Sequence, residues 1–190
     1  EQAVIKYYRL LLAPPPKLLF RERQLEKARE LIEEGESFII RGPLGVGKTT
    51  LALKAVAGLE HVYVSCASCR TCECVKPKLG AAQVIVLDDY SMAIRDSRMK
   101  SLAAELARER VTIFVVYPGV YQELEGLPTI EMPPYAREEI EEILRERVVR
   151  LLLPLDDEDI ALAAEEGARK GGNVRVALLK LAELLEGKKY

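Results

Sequence analysis

The sequence is short of several things. It has no tryptophan, a single histidine, His61, and a single asparagine, Asn173, against 31% charged residues. Many charges with few deamidation-prone amides is a heat-adapted composition, so a thermophilic source is expected. No apolar run approaches the roughly 20 residues that a bilayer-spanning helix needs. The opening residues, ending in Leu10, Leu11 and Leu12, lack the long apolar region of a signal peptide, so a cytoplasmic protein without membrane contact is expected. A formal net charge of −2 argues against holding nucleic acid by bulk charge, although a local basic patch stays open. There is no initiating methionine, from which trimming or a longer biological chain is expected. Cysteine is absent everywhere except between positions 66 and 74.

What is present suits a folded core: 49% of the 190 residues are hydrophobic, enough for one domain with an appendage. Pro14, Pro15 and Pro16 set off a short N-terminal segment, 1–17. Apolar stretches of strand and helix type then alternate. A helix is expected over 21–34 and strands over 37–41, 61–65, 83–88, 111–117 and 129–132. Helices are expected over 48–59 and from an N-cap at Ser91 to about 110. Strands that are almost continuous in Val, Ile and Leu are covered on both faces. The alternation therefore predicts crossover connections: a three-layer αβα core with a five-stranded parallel sheet, over 18–132. After Pro133 and Pro134 only helical patterns follow (136–152, 156–170 and 173–185), which predicts a small all-α domain over 133–190.

Gly42-Pro43-Leu44-Gly45-Val46-Gly47-Lys48-Thr49 satisfies G-x-x-x-x-G-K-[ST] in full and lies between an expected strand and an expected helix. Glycines let such a loop curl until its amide N–H groups point inward at a phosphate, and the following helix adds the positive end of its dipole. Residues 42–49, with Thr50 in the next turn, are thus the expected ATP or ADP cradle. Lys48 is expected on the β- and γ-phosphates and the Thr49 hydroxyl on Mg²⁺. A loop of this kind calls for an acid at the end of another buried strand. Val84-Ile85-Val86-Leu87-Asp88-Asp89 supplies one, with Asp88 on the Mg²⁺ side and Asp89 placed to orient the attacking water.

Further residues carry a resemblance. Arg21-Glu22 with Leu25 matches the "R-E-x-x-L" start of the helix before the loop. Pro134-Tyr135 followed by Glu138, Ile140, Ile143, Leu144 and Arg147 matches a lid start, and Gly171-Gly172-Asn173-Val174-Arg175 with Ala177-Leu178 matches a sensor-2 motif. The chain thereby resembles the AAA+ ATPases, above all the archaeal and eukaryotic replication initiators of the origin-recognition and cell-division-control type, with the clamp loaders close behind. The resemblance implies ATP hydrolysis coupled to lid movement, with Arg175 as the γ-phosphate sensor and Tyr135 at the hinge near the adenine. It also implies partners among other AAA+ subunits or replication proteins, with oligomers and DNA contact open.

There are departures. Where the family carries a polar sensor 1 at the end of the fourth strand, this chain has Tyr117 as its one polar candidate. Asp89 is one methylene shorter than the glutamate common in relatives, which implies slow or partner-dependent hydrolysis. Arg108 and Arg110 are the candidates for an intersubunit arginine finger. No long DNA-binding insertion fits between Ser65 and Gln83. Residues 45–52 with the paired aspartates also resemble the STAND signalling ATPases, which implies a nucleotide-holding switch as the alternative.

Cys66, Cys69, Cys72 and Cys74 stand in C-x2-C-x2-C-x-C spacing. Four thiolates on one loop suit a tetrahedral zinc or an iron–sulfur cluster, and the expectation is one structural Zn²⁺. One or two disulfides, or free thiols, remain the alternatives.

Overall fold

The computed structural model describes residues 2–188; the outer limits named above, 1 and 190, lie outside them. Five parallel strands form one sheet: β1 (Phe38–Arg41), β2 (Val62–Ser65), β3 (Val84–Asp88), β4 (Val111–Val116) and β5 (Thr129–Glu131). Their spatial order is β2-β3-β4-β1-β5. Parallel neighbours need crossovers, and α3 (Lys48–Ala55), α4 (Cys72–Leu79) and α5 (Ser97–Glu109) provide them, with α2 (Glu22–Glu33) preceding β1. The order has one consequence for function. The carboxyl ends of β1, β4 and β3 lie side by side, so whatever follows those three strands converges on one sheet edge.

Side chains alternate between the two faces of a strand. Ile39, Ile85, Leu87, Phe114 and Val116 join a core with Met99, Leu102 and Leu106 of α5 and Val75 and Leu79 of α4. Their neighbours Phe38, Ile40, Val86, Ile113 and Val115 are buried as well. A sheet buried on both faces accounts for the unbroken runs of Val and Ile in β3 and β4. Thr112 is the polar exception inside β4. It is fully buried, and its hydroxyl donates to the Leu106 carbonyl at 3.1 Å while its N–H is met by Ser37 Oγ at 2.9 Å.

The chain divides into two compact units. One comprises Arg21–Gly42 and Gly47–Met132, the sheet with its helices. The other comprises Glu1–Phe20, Pro43–Val46 and Pro133–Tyr190. In this helical unit α6 (Arg137–Arg150), α7 (Asp157–Arg169) and α8 (Val174–Gly187) pack together, and α1 (Gln2–Leu12) lies on α8. Pro43–Val46, the tip of the glycine-rich loop, belongs with these helices. There Gly45 O accepts a hydrogen bond from Val174 N at 3.0 Å.

Two local expectations are corrected, and the N-terminal segment, to which the sequence pattern assigns no element, gains one. The segment before the triple proline forms helix α1, whose Leu11 is fully buried. The stretch after Cys69 includes helix α4, capped by Thr71, whose Oγ1 accepts from Cys74 N at 3.2 Å. Ser91 lies in a 3₁₀ turn, Tyr90–Met92, and the cap of α5 is Asp96. Asp96 serves two helices, Oδ1 accepting from Arg98 N at 3.1 Å and Oδ2 from Cys72 N at 2.8 Å. These backbone donors, that of Cys72 above all, hold its carboxyl below the usual carboxylate range.

The turn from α7 into α8 is built on glycine. Gly172 has φ +71°, and a Cβ there would lie 2.6 Å from the Tyr135 carbonyl oxygen and 2.8 Å from Tyr135 N. Backbone cannot yield as a flexible side chain does. Gly172→Ala should therefore destabilise the protein by about 1–3 kcal/mol, read as a lower midpoint in urea unfolding. Gly35→Ala, also at positive φ but with nothing within 4 Å of the added carbon, should cost less.

Candidate functional site

The site begins where β1 ends. Gly47 takes φ +89°, a left-handed conformation that places it as the residue before α3 without a side-chain cap of its own. Gly45, at φ +72°, does the same nearer the tip. Lys48 opens α3 and is buried, its ammonium donating to the Gly42 carbonyl at 2.6 Å. It therefore closes the loop on itself, with the positive charge held inside the turn. The Lys48 ammonium also lies 4.9 Å from the centroid of the Tyr117 ring, within cation–π range.

Asp88 ends β3 and is buried. Its carboxylate receives the Thr49 hydroxyl, 2.9 Å from Oδ1 and 3.0 Å from Oδ2, and the Asp89 N–H at 3.0 Å on Oδ1. The Tyr63 hydroxyl donates to Oδ2 at 2.5 Å. Burial, then this bond, raises the Tyr63 phenol above its ordinary range, so it remains a donor. Asp89 follows in the left-handed region, φ 51°, where aspartate is tolerated. The Tyr117 hydroxyl stands 3.4 Å from Asp89 Oδ1. Tyr117 itself is fastened by backbone: its N–H donates to Ser91 Oγ at 2.9 Å, and its carbonyl accepts from Tyr121 OH at 2.8 Å.

Lys48, Thr49, Asp88, Asp89 and Tyr117 are thus assembled within the α/β unit, although up to 69 positions separate Lys48 from Tyr117 in the chain. The donor set fits a magnesium–nucleotide ligand. A hydroxyl and a carboxylate already in mutual contact are hard oxygen ligands of the kind Mg²⁺ takes, and a buried ammonium stands beside them. Tyr63 belongs to no motif and is missed by sequence reading. Its one available signal is an aromatic residue two positions before the end of the strand that pairs with β3.

The remaining expected residues lie in the helical unit. Asn173 caps α8, its Oδ1 accepting from Arg175 N at 2.9 Å and Val176 N at 3.3 Å. A Cβ on Gly45 would fall 1.8 Å from that same oxygen, so a side chain there would displace the Asn173 cap as well as strain a backbone at φ +72°. The Arg175 side chain is exposed in the first turn of α8 and has no partner among the described residues. Tyr135 is buried. Leu44 is half-exposed and Val46 is buried. Of the two arginine-finger candidates, Arg110 is engaged within its own chain, donating to Gly80 O at 3.0 Å and Ala82 O at 3.2 Å.

The expectation of a four-thiolate zinc site is overturned. Cys69 and Cys74 form a disulfide, with Cα atoms 5.5 Å apart, and Cys66 and Cys72 are free. Among the described residues no three of the metal-ligating types converge on one point. The reason is geometric: α4 starts at Cys72, and Cys66 and Cys69 turn into the apolar core with Tyr90 and Met99. Cys66 nevertheless adjoins the site, since its N–H donates to the Asp88 carbonyl at 2.8 Å.

Among solved structures, the chain is similar to the Aeropyrum pernix ORC2 protein in its ADP form, with TM-score 0.70 and 17% identity over 96% of this chain and 68% of that one. It is similar to the Thermotoga maritima RuvB Holliday junction branch migration motor, with TM-score 0.65 and 16% identity over 93% and 64%. It is also similar to domain III of the Thermotoga maritima replication initiation protein DnaA, with TM-score 0.67 and 15% identity over 94% of each chain. The chain spans about two thirds of the ORC2 and RuvB chains. No protein-family model and no curated protein sequence matches it. These neighbours are AAA+ P-loop proteins, and the fold is theirs: a five-stranded parallel sheet with flanking helices and a helical C-terminal part.

The cysteines allow a direct chemical check. Burial, followed by the charges of Asp88 and Asp89, pushes the Cys66 thiol up to about 12. At pH 8 roughly one such thiol in ten thousand is ionised. Iodoacetamide on the native protein should label Cys72 and spare Cys66, and Cys69 and Cys74 should react only after reduction. Mass spectrometry of the peptides reads all four.

Proposed function

We propose that this chain is a magnesium-dependent, ATP-binding AAA+ module that hydrolyses ATP slowly or under the control of a partner. The observation that carries the reading is the contact of Thr49 with Asp88, beside the buried Lys48, at the carboxyl ends of β1 and β3, which flank β4. In this reading the loop amides and Lys48 hold the β- and γ-phosphates, and Thr49 and Asp88 hold the metal. Bound Mg²⁺ would neutralise phosphate charge. Asp89 orients the attacking water, and Tyr117, between Lys48 and Asp89, stands in for the polar sensor of relatives. Arg175 reports the γ-phosphate, and nucleotide state governs the helical unit.

We favour an initiator or clamp-loader type of role, acting with other AAA+ subunits or replication proteins and, through them, on DNA. Support comes from the sensor-2 pattern at 171–178 and from the kind of proteins that share the fold. A nucleotide-holding switch of the STAND kind is the second reading. It is favoured by Asp89, whose short side chain faces a tyrosine hydroxyl. Turnover measured with and without DNA separates them. Stimulation by DNA supports the first, whereas tight retention of nucleotide with negligible turnover supports the second.

Lys48→Ala should abolish ATP binding, measured by isothermal titration, because the phosphates lose a fixed, desolvated counter-charge. Unchanged affinity would refute the assignment of the loop. Arg175→Ala should lower affinity for ATP more than for ADP. A charge-assisted hydrogen bond is worth about 1.5–3 kcal/mol, and the exposure of Arg175 puts the expected ratio near the lower end, roughly tenfold. Equal losses for the two nucleotides would leave Arg175 without a sensing role.

A further inference from the structure

Tyr63 is the contact of Asp88 that no motif supplies. It lies on β2, the edge strand, where it pairs with Val86, while Ser65 pairs with Asp88. Tyr63 and Asp88 are therefore diagonal neighbours on one face of a parallel pair. Long aromatic side chains can span such a diagonal. The phenol does so, and its hydroxyl donates to Asp88 Oδ2. Tyr63 is 41% exposed, so the core has no need of a large apolar group at this position. What the core would not require, the carboxylate uses.

The other donors to Asp88 explain why a third is of value. The Asp89 N–H meets Oδ1, and the Thr49 hydroxyl bridges both oxygens. Thr49 is also the residue that would turn toward a metal. Once it does, the Tyr63 hydroxyl is the contact from a neighbouring strand that still fixes the rotation of the Asp88 carboxylate.

We propose that Tyr63 is a positioning residue for the metal-side acid, holding Asp88 Oδ2 so that Thr49 and Asp88 present a fixed pair of oxygens to Mg²⁺. The proposal rests on the Mg–ATP reading above and deepens it. Tyr63→Phe removes one oxygen and keeps the ring, so the strand edge and the fold are preserved.

The test is a Mg²⁺ titration of the binding of a fluorescent ATP analogue to the full chain, with a parallel binding series in EDTA. Tyr63→Phe should raise the Mg²⁺ midpoint about three- to tenfold, a hydrogen bond to a charge discounted for exposure. Binding in EDTA and the melting temperature without nucleotide should stay unchanged. In an Asp88→Asn background the same change should have no further effect, because the two residues act as one unit. An unaltered midpoint, a loss equal in Mg²⁺ and EDTA, or full additivity with Asp88→Asn would each overturn the role of Tyr63. A parent protein that binds the analogue without any response to Mg²⁺ would instead refute the Mg–ATP reading, and the proposal with it.

Discussion

A buried carboxylate has to be met by donors, and the one on Asp88 organises the end of the sheet. It stands at the last position of β3 and gathers donors from α3, from β2 and from the next residue in the chain. Leaving an ionised carboxylate buried without partners is costly, while neutral or charge-assisted donors offset that cost. Each donor depends on a different part of the fold. Thr49 arrives because α3 starts directly after the loop that leaves β1. Tyr63 arrives because β2 pairs with β3 in a register that sets it two positions back. The strand order brings the ends of β1 and β3 within one strand of each other, with β4 between them.

That β4 lies between them gives Tyr117 its place. It follows the end of β4, with its ring against the Lys48 ammonium and its hydroxyl toward Asp89. Two tyrosines therefore stand on the two acids, one on each side. Both supply polarity on a stiff aromatic frame, and each is held by an element other than the loop. The same sheet edge carries the cysteine turn, since the β2–β3 ladder continues one step further through Cys66 N–H and the Asp88 carbonyl. The disulfide Cys69–Cys74 closes the turn just beyond it, before and within α4.

Much of this was legible in the chain itself. The strands of the sheet, the loop at 42–49, the acid at 88 and the helical run after Pro134 are all written in local pattern. They appear as apolar runs, a glycine-rich spacing before Lys48, and caps such as Asp156 and Asn173. What stayed hidden depends on contacts between distant positions. Helix α4 carries Pro77, and its start is held partly by Asp96, 24 residues away. Helix α1 finds its partner in α8, at the other end of the chain. The cysteine spacing fits metal, disulfide and free thiol alike, and the burial of Cys66 and Cys69 among core side chains selects between them.

The sequence by itself determined the class of fold and the chemistry of the loop, because periodicity, glycine φ and capping act over a few residues. Only the tertiary structure decided which hydroxyls reach Asp88, which cysteines pair, and that Tyr117 meets Lys48. Those are facts of register and strand order, set by the crossover connections, and no window of neighbouring residues encodes them.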